Sequence, residues 1–171
     1  QGDVFSYNYN NATVGFANGE SVMYMQGNWA IPMIMQTNPD MDLDMFPFPA
    51  LDNAEDNKLC SSIDLMFSIT KKSKHKEEAT RFLNFLTEQE NVSTYMEDQF
   101  GIPAIDCEYE FPEQLNGILD DFQNGKIVSS PQAYYPSEMK LPIAVQTYMI
   151  DGDRDKFFKQ LDDTWREAHE E

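Results

Sequence analysis

The run from Phe16 to Trp29, Phe-Ala-Asn-Gly-Glu-Ser-Val-Met-Tyr-Met-Gln-Gly-Asn-Trp, constrains the fold more than any other part of the chain. It reads as a helix closing at Asn18 and Gly19, a short strand at Val22, Met23, Tyr24 and Met25, and a glycine turn that delivers Trp29 onto a new helix. A glycine just past a helix supplies the left-handed residue that ends it. A glycine within a turn lets the backbone come close to another group. Gly19 and Gly27 are expected in these two roles.

Beyond this run, helix and strand signals alternate without repeats or low-complexity tracts, the pattern of an α/β architecture. Residues 29–36 are apolar along their length, and Pro32 is compatible with the first turn of a helix. Residues 41–48 alternate Met-Asp-Leu-Asp-Met-Phe, the period of two that marks a strand, and end at prolines that cannot continue a ladder. A polar loop follows at 52–57, and residues 59–70 read as an extended segment entering a buried strand at Leu65, Met66 and Phe67. Ser73 is placed to cap a helix whose Ala79, Phe82, Leu83 and Leu86 share one face. A second helix over 88–100 is stopped by Gly101 and Pro103. Pro112 opens a third, with Leu115, Ile118, Leu119 and Phe122 inward and Gly125 at its end. Residues 137–149 are expected to be helical, with Pro142 in the first turn or at a kink. Residues 154–168 form an amphipathic packing helix carrying Phe157, Phe158, Leu161 and Trp165, with a frayed acidic tail.

Thirty acidic against 12 basic residues give a formal charge of −18. That balance argues against nucleic acid and anionic membrane surfaces as partners and favours a solvated acidic surface. No run approaches the ~20 apolar residues of a membrane-spanning helix, and the first residues lack the basic and apolar regions of a signal peptide. Cys60 and Cys107 form no CxxC pair; disulfide pairing and two buried free thiols both remain open. The ten methionines are read as core filler, and no cofactor or metal is implied. Asp151-Gly-Asp-Arg-Asp155 begins like a calcium loop but has Lys156 where glycine is required, so a helix N-terminus with capping acids is the better account. His75 and His169 lie in charged surroundings, and no serine or cysteine carries a nucleophile motif.

Taken in order, Phe16, Gly19, Met23, Gly27 and Trp29, then Pro47-Phe48-Pro49, then Phe67 to Lys74, the helix from Glu77 to Leu86, and Gly101-Ile102-Pro103 resemble the extracellular solute-binding proteins of carbohydrate ABC transporters, the group that includes maltose-binding protein. The likeness covers nearly the whole chain and is weakest over 106–137. It implies a periplasmic-binding-protein-like α/β fold of type II, of which this is the C-terminal portion contributing to both lobes. Residues 1–67 would belong to the C-terminal lobe with its Gly-x-Trp ligand turn, 68–105 would return to the N-terminal lobe, and 106–171 would supply C-terminal-lobe helices and the closing helix. Two lobes need about twice this length of chain. The chain is therefore expected to lack strands of both sheets, to expose edges, and to pair with another copy or need its missing N-terminal half.

The implied function is a non-catalytic receptor that binds a sugar or oligosaccharide and presents it to ABC permease subunits. Its implied location is extracytoplasmic, with a lipid anchor on the missing N-terminus. Sugar recognition needs a flat apolar surface for the C–H face of the ring and planar polar groups for the hydroxyls. Trp29 is the stacking candidate, although without its flanks it would read as a core tryptophan. Gly27 permits the close turn, and Asn28 either binds a hydroxyl or caps the following helix. Ser61, Ser62 and Asp64 fall where the family has a small-residue turn beside the ligand; the absence of glycine here shifts the expectation to contact through the Asp64 side chain. Tyr134 and Tyr135 occupy the region from which relatives send aromatics into the cleft. The alternative from another class is a carbohydrate-active enzyme or accessory domain with an acidic cleft, and a third is an interaction domain without a small ligand. Thirty carboxylates make a pair at glycosidase spacing unavoidable, so abundance alone is no evidence for hydrolysis.

Overall fold

The computed structural model describes residues 6–169. It divides into two compact units, Gln1–Val128 and Ser129–Glu171. The first holds helices α1 (Tyr9–Ala17), α2 (Ile31–Thr37), α3 (Lys76–Leu86), α4 (Gln89–Gln99) and α5 (Asn116–Gln123). The second holds α6 (Leu141–Asp151) and α7 (Arg154–Glu167). Strands β1 (Leu59–Ser61) and β2 (Ile127–Ser129) form a two-stranded sheet, with Leu59 N–H donating to the Lys126 carbonyl at 3.1 Å.

Helix α1 ends as its sequence dictates. Gly19 takes φ +81°, Gly19 N–H donates to the Phe16 carbonyl and Glu20 N–H to the Gly15 carbonyl, which completes the glycine C-cap. Thr13, fully buried, donates to the Tyr9 carbonyl and pairs with the Tyr24 hydroxyl, while Phe16 stacks on Tyr24 at 5.4 Å. Pro32 sits in the first turn of α2, where its missing N–H costs nothing.

Helix α2 is the shared wall of two apolar clusters. Ile34 joins Phe16, Ala17 and Ala30, with Tyr24, Met41 and Leu43 packed around them. Ile31 joins Leu115 and Ile118, with Met35, Leu43, Met45, Leu59, Phe100, Ile102, Phe111 and Leu119 around those. Met41, Leu43 and Met45 alternate with exposed Asp42, Asp44 and Phe46, so the period of two is realised as alternating burial. Asp44 then accepts the Gly117 N–H at 3.0 Å and so caps the start of α5. A Cβ on Gly117 would overlap the Met45 carbonyl oxygen, which makes glycine a requirement there.

Several expectations are corrected. Residues 22–25 and 41–48 carry no strand, and residues 65–67 are neither a strand nor buried: Leu65, Met66 and Phe67 are all exposed. A strand exists only where a second one completes its hydrogen bonds, and among the described residues only 59–61 and 127–129 find each other. Ser73 accepts from the His75 N–H in a turn, and α3 begins three residues later without a side-chain cap. Helix α4 is ended by Phe100 itself, which takes the left-handed φ of 52° before Gly101. Cys60 and Cys107 are free thiols, and Cys60 is exposed. The methionines divide: Met35, Met41 and Met45 pack on the clusters, whereas Met23, Met25, Met66 and Met149 are exposed.

In the second unit Pro142 lies in the first turn of α6, and Gly152 at φ +67° ends it. Asp153 caps α7 by accepting the Lys156 N–H at 2.9 Å, the capping role expected of this acidic turn. Lys156 Nζ lies 2.7 Å from Asp151, which holds the Asp151 carboxyl below the ordinary carboxylate range. Phe157 stacks on Tyr148, but Phe158 and Trp165 are exposed and α7 buries no residue completely. The frayed acidic tail expected beyond α7 falls partly on residues 170–171, outside the described residues.

Candidate ligand-binding site

The turn that leads into α2 is built from four consecutive residues. Gly27 precedes a single 3-10 turn, Asn28–Ala30, that runs directly into the helix. Ala30 is buried in one cluster and Ile31 in the other, so the base of the turn is held by the core on both sides. The indole of Trp29 folds back over Gly27, where a Cβ would overlap its six-membered ring. The close approach that glycine allows is thus taken up by the indole. Trp29 nevertheless remains 59% exposed, and its Nε1–H donates to Gln26 Oε1 at 3.1 Å.

Asn28 does not cap the helix. Its Nδ2 donates to the Phe100 carbonyl at 2.7 Å, across 72 residues of chain. The acceptor is the residue whose left-handed backbone ends α4, and Phe100 packs against the Ile31 cluster. The Trp29 turn is therefore tied to the end of α4 by a hydrogen bond and to α2 by the chain itself.

Ser62 and Asp64 follow β1 directly and are both exposed. Leu59 at the start of β1 packs on the same cluster as Ile31, so both segments leave one anchored core. Tyr134 and Tyr135 belong to the second unit, at the end of a 3-10 turn (Pro131–Tyr134), and are exposed to 67% and 40%. The structure gathers Gly27, Asn28 and Trp29 into one turn and leaves Ser62, Asp64 and the two tyrosines on exposed loops.

Two features carry no functional signal in the residues themselves. Nothing in a lone glutamine announces that Gln26 accepts an indole N–H three residues on. Along α3, an open depression of about 500 Å³ is lined by Glu78, Arg81, Phe82, Asn84, Phe85 and Glu88. It combines exposed aromatic rings with planar polar groups, and its i, i+3, i+4 spacing was readable from the chain. Among the described residues no group of three or more His, Cys, Asp or Glu side chains could hold a metal ion, and no helix is long and apolar enough to cross a membrane.

Residues 1–115 match the family model of bacterial extracellular solute-binding proteins, and the chain belongs to that family. A multiple sugar-binding protein of Streptococcus mutans is 34% identical over 87 residues, which is 51% of this chain and 20% of that protein. Among solved structures, the solute-binding protein RafE in complex with raffinose superposes with a TM-score of 0.80 at 22% identity, over 94% of this chain and 42% of RafE. The apo form of RafE from Streptococcus pneumoniae superposes with a TM-score of 0.66 over 90% of this chain and 40% of its own. The fold is thus the periplasmic-binding-protein-like one, and the chain spans less than half the length of these relatives.

Proposed function

We propose that this chain is part of the carbohydrate-binding component of an ABC import system. The observation that carries the reading is the Trp29 indole, backed against Gly27 and open to solvent on a turn anchored by Asn28. A rigid aromatic face is what the C–H surface of a sugar ring packs against, and a platform fixed before binding spares the entropy of ordering it. Asn28, whose amide nitrogen already serves Phe100, acts here as an anchor. Ser62 and Asp64 supply hydroxyl partners, and Tyr134 and Tyr135, in the second unit, are aromatic candidates in their own right. Relatives named for sugar binding, the multiple sugar-binding protein and RafE with raffinose, support this ligand class.

In this reading residues 1–67 and 106–171 belong to one lobe and 68–105 to the other, and the rest of a two-lobed molecule supplies the facing half of the site. The protein works outside the cytoplasm, held at the membrane by a lipid anchor, and binds without catalysis. Ligand contacts with both lobes favour the closed form by their differential affinity, and the closed form is what permease subunits engage. Calorimetric titration of the native protein with raffinose and a panel of mono- and oligosaccharides tests this. Saturable binding, with the sugar recovered unchanged, is expected. Binding of no sugar refutes the ligand class, and recovery of cleaved sugar refutes a pure receptor.

A further inference from the structure

An indole N–H donates and never accepts, so the Gln26 amide atom that faces it at 3.1 Å is the carbonyl oxygen, Oε1. Trp29 has two rotatable side-chain bonds and lies largely in solvent, so packing alone leaves its ring free to swing. Two contacts hold it: the bare Cα of Gly27 beneath one face, and the Gln26 oxygen at the N–H edge. The edge contact also consumes the indole's one polar group. What remains for a ligand is the open face.

We infer that Gln26 is a positioning residue for the Trp29 platform, its amide oxygen pinning the ring over Gly27 so that a sugar meets the indole by its face and not by its N–H. This rests on the reading of Trp29 as the stacking surface, but the pinning is separately testable. Gln26→Glu keeps an acceptor at the same reach, whereas Gln26→Met keeps the length and removes it. In the native protein the Trp29 indole N–H resonance is assigned by its loss in Trp29→Phe, and its exchange with solvent is measured without ligand. Raffinose affinity is then measured for each variant and for Trp29→Ala.

Gln26→Glu is expected to retain the parent's exchange rate and affinity. Gln26→Met is expected to speed exchange and to weaken raffinose binding roughly three- to tenfold, the cost of immobilising one side chain on binding. A Gln26→Met variant with the parent's exchange rate and affinity overturns the inference, as does failure of Gln26→Glu to restore both. If Trp29→Ala binds raffinose as the parent does, or if the parent binds none, the platform reading fails. The exchange measurement still decides whether Gln26 pins the ring.

Discussion

The turn at residues 26–29 and the stretch at 62–67 both present exposed apolar side chains, and the structure supports them differently. The first leads straight into Ala30 and Ile31, both buried in the core, crosses to α4 through Asn28, and lays its own tryptophan over its own glycine. The second runs from β1 with Ile63, Leu65, Met66 and Phe67 exposed. An aromatic surface for ligand has to be fixed by what lies behind it. Apolar character alone does not do that.

The largest difference between the two regions is expected from truncating a side chain that supports each. Leu115→Ala, in the cluster that anchors Ile31 and Leu59, is expected to cost about 2–5 kcal/mol in denaturant unfolding, because a fully buried leucine leaves a cavity. Met66→Ala, at a residue 79% exposed, should stay within about 0.5 kcal/mol. Comparable losses at both sites would mean that residues 62–67 are packed in solution.

A smaller effect is expected at Gly27. Gly27→Ala puts a methyl group where the indole ring lies, so the ring must move. The Trp29 fluorescence spectrum should shift and sugar affinity should drop by about tenfold or more, since ring placement is part of the binding energy. Ser62→Ala should leave that spectrum alone. Asn28→Ala comes next: losing the bond to the Phe100 carbonyl is expected to cost about 1 kcal/mol of stability and to raise amide exchange at the end of α4. Unchanged exchange there would show that Phe100 holds its left-handed turn unaided.

The smallest effect concerns pH and the second unit. The Lys156 ammonium, by hydrogen bond and charge, holds Asp151 below its ordinary value, and Asp151 in turn raises Lys156. The carboxylate's contribution is present above the unfolded Asp value and is lost as pH falls through the lowered folded one. The ammonium's contribution is present below the ordinary lysine value and is lost as pH rises through the raised one. Thermal melts of Asp151→Asn should show a flatter acid limb than the parent, by a small amount because both groups face solvent. The identical acid limb in both proteins would remove the pair from the account.

Helices were legible in the chain because their signals are local. Gly19 ends α1 and Asp153 caps α7, each through a partner within five residues, and Pro32 fits the first turn of α2 by its fixed φ alone. Strands were not, because a ladder needs a second segment, and no pattern at residues 22–25 or 65–67 announces whether one is present. Residues 41–48 lie between: the alternation expected of a strand appears as alternating burial, but without a strand's hydrogen bonds. At the site, the Gly-x-Trp spacing marked the turn. The tie from Asn28 to Phe100 spans 72 residues and left no local trace, and Gln26 carried no signal at all.

The proposed receptor role stands or falls on Trp29 as a sugar's stacking surface. Incorporating 5-fluorotryptophan into the native protein, assigning the Trp29 fluorine signal by its absence in Trp29→Ala, and titrating with raffinose and the wider sugar panel tests it at the atom level. The account predicts a saturable shift of that one signal with a midpoint equal to the calorimetric Kd, and no binding in Trp29→Ala. Saturable sugar binding with the Trp29 signal unmoved, or full affinity in Trp29→Ala, would contradict it.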